Sequence, residues 1–192
     1  NLETGEIHDM DTSNCNRLDN LKSTKQTMRK LRRLIAHNFT GGENQLWITL
    51  TYREHVINPE VVYKDFKAFI RRIRDSFGHV EYIAVIEPQE SGRWHLHVLM
   101  KNDSTLRVPN VILADLWGKG FTKTKRLRRA DKVVNYLIAY LSNLQLEDTK
   151  SELKAIVKGA RLYMYPKGIR IYRSSRGIKK PLEVTVTKSE LV

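Results

Sequence analysis

Hydrophobic and polar positions alternate along the middle of the chain in a way that predicts strands on either side of a helix. Residues 46–52 (LWITLTY) and 80–87 (VEYIAVIE) are rich in β-branched and aromatic side chains, which is typical of strands. Between them, Pro59 begins a segment whose apolar residues recur at helical spacing, and Gly78 ends it. These patterns predict two strands separated by one amphipathic helix.

Residues 93–101 (RWHLHVLMK) predict a third strand, which a short connection joins to the second strand as a hairpin. The remaining predicted elements are a helix from Pro109 to Trp117, a strand over 121–127, helices over 131–143 and 151–158, a hairpin of 161–165 with 169–173, and a last strand over 182–187. Strands joined by hairpins and mixed with helices indicate an α+β fold, with a central antiparallel sheet of about five strands and flanking helices.

The charge of the chain is large and unevenly distributed. Lysine and arginine number 34 against 21 acidic residues, which gives a formal net charge of +13 over 192 residues. Residues 1–20 are acidic, and we expect a mobile N-terminal arm there. Residues 21–192 are expected to form one domain with a basic N-terminal helix and a basic C-terminal hairpin. Such an excess predicts a polyanionic partner, either nucleic acid or an anionic membrane surface.

Several classes of protein are disfavoured by the sequence. The single cysteine, Cys15, cannot form an internal disulfide, which fits a reducing compartment and a cytoplasmic location. The basic segments lack a face of exposed large apolar residues, so we expect no membrane partner. No phosphate-binding loop is present, so no nucleotide cofactor is expected. The chain begins with Asn1 and no signal peptide follows, so we expect a fragment of a longer protein.

The basic residues fall into three blocks, which could form solvated surfaces or a track for nucleic acid. The residues expected to bind DNA are Lys25, Arg29, Arg32, Arg33, Arg93, Lys123, Lys125, Arg126, Arg128, Arg129, Lys132, Arg161, Lys167, Arg170, Arg173, Arg176, Lys179 and Lys180. Aromatic residues lie among them: Phe121, Tyr163, Tyr165 and Tyr172. These rings could stack on unpaired bases, or they could be half-buried residues of strands.

Two histidines stand at alternate positions of the third strand. Side chains alternate along a strand, so His95 and His97 project from the same face. Glu87 lies on the paired strand and needs the register of the hairpin, or a bend at Pro88, to meet them. Together the three residues could hold a divalent cation with positions left open for substrate, with Gln89 as the alternative third ligand. The other interpretation is a polar stripe on the surface.

Two tyrosines form the second candidate group. Tyr136 and Tyr140 are four residues apart in a predicted helix and therefore share one of its faces. A tyrosine hydroxyl can attack a phosphodiester and form a phosphotyrosine linkage, which retains the bond energy for rejoining. Alternatively, both tyrosines lie at the rim of an amphipathic helix and have no chemical role.

Three motifs in order carry a resemblance to a known family. They are Trp47–Tyr52 (WITLTY), Glu87–His97 (EPQESGRWHLH) and Asn135–Tyr140 (NYLIAY). The sequence resembles the HUH endonucleases, and within them the rolling-circle replication initiators (Rep proteins) of bacterial plasmids, phages and integrated elements. The resemblance covers residues 23–187. It implies the ferredoxin-like sheet of the Rep nucleases.

The resemblance also implies chemical roles. His95 and His97 would ligate Mg²⁺ or Mn²⁺ with Glu87, and Tyr136 would nick one strand of single-stranded or hairpin origin DNA, with Tyr140 as the second tyrosine. A host helicase and polymerase would then act on the product. The family often has lysine at the positions of Ala139 and Asn143, so a lysine role would fall to another residue, such as Lys132.

Two alternatives remain open on the sequence. A transposase of the same superfamily keeps the same order of motifs. A non-catalytic single-stranded nucleic-acid-binding domain would explain the charge and the aromatic residues, but not the histidine pair with Glu87.

Overall fold

The computed structural model describes residues 21–89, 91–128, 161 and 164–182. Their elements are helix α1 (Leu21–Asn38), strand β1 (Gln45–Thr51), helix α2 (Pro59–Phe77), strands β2 (Glu81–Pro88) and β3 (Trp94–Lys101), helix α3 (Asn110–Trp117), and strands β4 (Thr122–Arg126) and β5 (Tyr172–Ser174). Within these ranges the strands form an antiparallel sheet in the order β4-β1-β3-β2-β5. The predicted α+β fold is confirmed.

Helix α2 has the ends that its sequence predicts. The Asn58 side chain accepts a hydrogen bond of 2.8 Å from the Glu60 amide, and Pro59 occupies the first turn, where its missing N–H costs nothing. At the other end Gly78 has a φ of +77°, and its amide donates to the Arg74 carbonyl. The apolar side of the helix, including Phe66 and Phe69, is buried against the sheet.

The sheet has one apolar face, which carries α2 and α3. Leu46, Ile48 and Leu50 of β1 are buried there, and rings of the helices meet rings of the sheet edge-on. Burial of each such side chain contributes about 1.5–3 kcal/mol. The alternate positions project from the opposite face, which we call the histidine face: Thr49, Thr51, Val85, Glu87, His95 and His97.

Helix α1 reaches the sheet through its C-terminal end. Met28, Leu31 and Ile35 are buried at helical spacing, while the basic residues from Lys25 to Arg33 are exposed. The helix is therefore amphipathic, with one apolar side packed against the core and one basic side in solvent.

A corner of the molecule joins α1, β3 and the C-terminal segment. The ammonium group of Lys101, at the end of β3, donates to the backbone carbonyl of Asn38 over 3.1 Å. The side chain of Asn38 also bonds to the backbone of Lys179. Three parts of the chain that are distant in sequence thus meet at the last residue of α1.

The predicted C-terminal hairpin is wrong in its pairing. The turn forms, because the Ile169 amide donates to the Pro166 carbonyl, but Met164 lies in a short 3-10 turn. The strand of this segment, β5, pairs instead with Ile83–Val85 of β2. The unpaired edge of β2 is thus the partner that this segment takes, a long-range choice that local turn signals do not encode.

Some predictions fall outside the described residues: the arm over 1–20, the helices over 131–143 and 151–158, and the strand beyond Leu182. Among the helices that the structure describes, none is both long and apolar enough to cross a membrane.

Candidate metal centre

The β2–β3 hairpin brings a carboxylate and two imidazoles together. Its register pairs Glu87 directly with His95, and Val85 with His97. Directly paired residues of antiparallel strands project from the same face, so Glu87 meets the histidines without any bend at Pro88. Gly92 allows the tight connection, since its φ is +78° and its amide donates to the Gln89 carbonyl over 3.0 Å.

The three side chains converge on one point. His95 Nε2 lies 2.9 Å and His97 Nε2 lies 3.1 Å from Glu87 Oε2, and the two Nε2 atoms are 3.0 Å apart. All three residues are buried, with exposed fractions of 2% for Glu87, 8% for His95 and 7% for His97. Within the described ranges, this is the group of acidic, histidine or cysteine residues with the spacing of a metal site.

The electrostatics of this cluster favour a positive charge at its centre. Three lone pairs that point at each other repel unless a proton or a cation lies between them. Burial acts to raise the pKa of Glu87, but the hydrogen bonds with His95 and His97 outweigh it and hold the pKa below its usual range. Burial lowers the pKa of His97, which favours the neutral imidazole that a metal needs.

The spacing of the donor atoms fits a six-coordinate cation. Ligands about 2.1 Å from an octahedral ion are about 3.0 Å from their neighbours, whereas a tetrahedral ion would separate them by about 3.4 Å. The measured separations are 2.9, 3.0 and 3.1 Å. Glu87 Oε1 is buried and has no partner among the described residues, so it is free to join the coordination. The cluster could therefore hold one metal ion, with Glu87 as the third ligand, because Gln89 is exposed in the turn.

A second layer of side chains orients one of the imidazoles. Thr49 pairs with His97 across β1 and β3, and its hydroxyl lies 3.4 Å from His97 Nδ1. The indole N–H of Trp47 donates to the same hydroxyl over 3.3 Å, and its ring meets the His97 ring edge-on. A proton on Nδ1 directed to Thr49 leaves the lone pair of Nε2 facing the cluster. The role of Trp47 was not predicted, although positions 47, 49 and 51 share the alternation of the histidines.

The backbone around Glu87 is held from the C-terminal segment. The buried Tyr165 hydroxyl donates to the Ile86 carbonyl over 2.7 Å, and the Arg161 guanidinium donates to the Pro88 carbonyl over 3.2 Å. The ring of Tyr165 also packs edge-on against Trp94 at the start of β3. Tyr165 is thus a structural residue of the hairpin, and its ring is not available to stack on a base.

The basic residues predicted to bind DNA lie in several settings. Exposed ones are Lys25, Arg29, Arg32 and Arg33 on α1, Lys123 and Lys125 on β4, and Arg93, Arg128, Lys167, Arg170, Arg176, Lys179 and Lys180 in connections. Arg126 is half-buried and donates to the backbone of Glu43 and Leu106. Arg173 is exposed and stacks on the Tyr63 ring of α2, 3.8 Å from its centroid. Arg129 and Lys132 lie outside the described residues.

The candidate nucleophiles, Tyr136 and Tyr140, also lie outside the described residues. Among the tyrosines that are described, Tyr52 donates its hydroxyl to Asp65, and Tyr63 donates to a backbone carbonyl, as Tyr165 does. Burial, with the neighbouring Asp65 adding to it, raises the pKa of Tyr52, which keeps this phenol protonated.

Comparison with known proteins gives three similarities. A family model described as replication-associated protein ORF2 matches residues 45–145, a range that includes the metal cluster and both candidate tyrosines. The Escherichia coli phasyl DNA replicon protein arp is 36% identical over 67 residues, which are 35% of this chain and 23% of that protein. The protein ORF119 of Sulfolobus islandicus rod-shaped virus 1 aligns with a TM-score of 0.37 and 12% identity, over 68% of this chain and 99% of that one.

The match of the family model is the finding that identifies the chain. It extends over more than half of the 192 residues and covers β1, β2 and β3, which together carry the Glu87, His95 and His97 cluster and its outer layer. The resemblance to Rep-like replication initiators is confirmed: the chain belongs to the replication-associated protein ORF2 family.

Proposed function

We propose that this chain nicks and rejoins one strand of DNA at a replication origin, and that the nick starts rolling-circle replication. The observation that carries the proposal is the buried cluster of one carboxylate and two imidazoles at the centre of the histidine face. Membership of a replication-associated family supports DNA as the substrate. The net charge of +13 supports a polyanionic substrate independently.

His95, His97 and Glu87 would hold a single Mg²⁺ or Mn²⁺ ion. Mixed imidazole and carboxylate donors at octahedral spacing, with positions left open, suit such an ion better than a closed structural zinc site. When bound, the ion would supply Lewis-acid polarisation of the scissile phosphate. The protein holds the three donors close together, so little reorganisation is needed when the ion arrives.

Tyr136 would be the nucleophile and Tyr140 the second tyrosine. The phenolic oxygen of Tyr136 forms a bond to the scissile phosphorus, and the bond from phosphorus to the 3′ oxygen breaks. The phenol loses its proton, and the departing oxygen gains one to become a 3′ hydroxyl. The 5′ phosphate stays on the tyrosine as an ester, so rejoining needs no external energy source.

The partners would be single-stranded or hairpin origin DNA and the replication enzymes of the host. The 3′ hydroxyl is the primer that a polymerase requires. The sequence contains no phosphate-binding loop, so a separate helicase would supply strand separation. The exposed lysines and arginines of α1, β4 and the C-terminal segment would contact the DNA backbone.

A denaturing gel tests the chemistry directly. The full chain is incubated with dye-labelled single-stranded and hairpin oligonucleotides of the origin region, with Mn²⁺ or with a chelator. We expect a covalent protein–DNA adduct that the chelator abolishes. Tyr136→Phe should remove most of the adduct, and the double variant with Tyr140→Phe should remove all of it.

The same gel separates this function from its alternatives. An adduct that survives both tyrosine substitutions, or that forms in chelator, would contradict the proposed mechanism. Tight binding without any adduct on any DNA would favour a non-catalytic binding domain. Joining of a cleaved end to an unrelated target strand, in preference to rejoining at the origin, would favour a transposase.

A further inference from the structure

The strand at one edge of the sheet presents an exposed aromatic ring close to the metal centre. Phe121 precedes β4, and its carbonyl accepts a hydrogen bond of 2.9 Å from the Thr51 amide, so Phe121 lies opposite Thr51. Thr51 in turn pairs with His95. The buried Thr122 next to it faces the helices, so Phe121 belongs to the histidine face. Its exposed fraction is 66%, which is unusual for so large an apolar side chain.

The backbone that carries this ring is held firmly. The Thr51 hydroxyl also donates to the Phe121 carbonyl over 2.9 Å, and the Arg53 amide donates to the Lys119 carbonyl over 2.7 Å. A Cβ atom at Gly120 would lie 2.5 Å from the Thr51 carbonyl oxygen, so only glycine allows this approach. The ring is therefore exposed on a fixed backbone and does not belong to a loose loop.

Lysines continue the same face of the edge strand. Lys123 pairs with Thr49, and Lys125 pairs with Trp47, so both follow Phe121 at alternate positions and both are exposed. Lysines on an edge strand can also serve to prevent pairing with other sheets. That role does not explain an exposed phenylalanine beside them, because an apolar ring at an edge promotes association.

The spacing relates this edge to the metal cluster. Neighbouring strands lie about 4.8 Å apart, and β1 separates β4 from β3, so the edge is about 10 Å from the histidines along the sheet. A short stretch of extended single strand spans that distance. A strand with one phosphate at the metal centre would thus place a neighbouring base over Phe121 and nearby phosphates beside the lysines.

We propose that Phe121 is a stacking platform for a base of single-stranded DNA, and that Lys123 and Lys125 hold phosphates of the same strand as it crosses β4. This inference rests on the proposed nicking function, because it assumes that the strand continues to the metal centre. Stacking of a base on an aromatic ring requires that base to be unpaired, so the site discriminates single-stranded from duplex DNA.

Binding of a fluorescent oligonucleotide tests the platform without cleavage. The probe is an oligothymidylate that carries 2-aminopurine at intervals, since the emission of this base falls when it stacks. The full chain and its variants are titrated with the probe in chelator, so neither metal nor nicking contributes. We expect quenching with the parent chain, and a loss of affinity of about tenfold in Phe121→Leu, which keeps an apolar side chain without a π-face.

Matched variants keep the result interpretable. Phe121→Trp should keep or strengthen both affinity and quenching, and Val111→Ala, an exposed apolar residue of α3, should change neither. Duplex DNA should bind equally to all of these variants. Equal quenching and affinity in Phe121→Leu and the parent chain would overturn the platform and leave nicking untouched. Loss in Phe121→Leu without any covalent adduct in the gel would overturn nicking and support the platform.

Discussion

The centre and the edge of the histidine face differ in how their polar groups are held. At the centre, Glu87, His95 and His97 are almost fully buried and within 3.1 Å of each other. At the edge, Lys123 and Lys125 are exposed, and Phe121 keeps 66% of its surface in solvent. The centre is suited to a small ion that needs fixed ligand geometry, and the edge to a long, flexible polyanion.

The difference teaches where rigidity is needed. A metal ion tolerates little error in the position of its ligands, so the central groups and their outer layer sit on three neighbouring strands whose register fixes them. A nucleic-acid strand adapts its own shape, and phosphates are attracted by charge over a longer range. Substitutions at the centre should therefore act on metal binding and chemistry, and substitutions at the edge should act on DNA affinity.

The largest effect is expected at the centre. Glu87→Gln and His97→Ala each remove one ligand, so the affinity for Mn²⁺ should fall by more than about 100-fold, because loss of an outer-layer partner alone costs about 10- to 100-fold. Isothermal titration with Mn²⁺ measures this, and cleavage should fall to background. Gln89→Ala, at the exposed neighbour in the turn, is the control and should retain both. Full Mn²⁺ affinity in Glu87→Gln would contradict the ligand assignment.

Removal of a single hydroxyl should have the next largest effect. Thr49→Val keeps the shape of the side chain but removes the partner of His97 Nδ1, so the imidazole loses its preferred tautomer. We expect Mn²⁺ affinity to fall by about tenfold, and the ¹⁵N shifts of His97 in the metal-free protein to change. Thr51→Val is the matched control, since the Thr51 hydroxyl donates to Phe121 and not to a histidine. Equal Mn²⁺ affinities in both variants would refute an orienting role for Thr49.

A methyl group at Gly120 should separate the two regions. Gly120→Ala forces the chain away from β1, where the Thr51 carbonyl oxygen is 2.5 Å from the new atom. Stability should fall by about 1–3 kcal/mol, as measured by chemical unfolding. Affinity for the single-stranded probe should fall while Mn²⁺ affinity stays within about twofold, since the ligands lie on other strands. A parallel loss of both affinities would show that edge and centre are not separable.

The smallest effect concerns single charges at the edge. Lys123→Ala should lower the affinity for single-stranded DNA and reduce the slope of log affinity against log salt by about 0.7, the value for one phosphate contact. Lys67→Ala, on the exposed side of α2, controls for the general loss of charge. Titrations over a range of salt concentrations give both slopes. Identical slopes in the two lysine variants would place the DNA elsewhere.

Much of the central region was predictable because its signals are local. Alternation defined β1, β2 and β3 to within a residue or two, and Asn58, Pro59 and Gly78 defined the ends of α2. Alternation also placed His95 and His97 on one face. It could not decide whether Glu87 joined them, since that depends on the register of the hairpin, which the structure gives as Glu87 opposite His95.

The C-terminal segment shows the limit of such local signals. The turn after Pro166 was recognisable, but the pairing of β5 with β2 depends on residues far away in sequence. The same holds for Tyr165, which the sequence suggested as a stacking residue and which instead donates to the Ile86 carbonyl. Trp47 and Thr49 were visible as part of a motif, but their order of hydrogen bonds to His97 required the pairing of β1 with β3.

The hydrogen bond from Tyr165 to Ile86 joins residues 79 positions apart, and it holds the strand that carries Glu87. During synthesis the ribosome makes the hairpin with all three ligands long before it makes Tyr165 and β5. Strands that wait for a distant partner fold late, since closing a long loop must precede the gain from pairing. We therefore expect the nascent chain to acquire a stable metal site only after residue 174 has emerged, so cutting activity arises from the finished domain and not from its growing fragments.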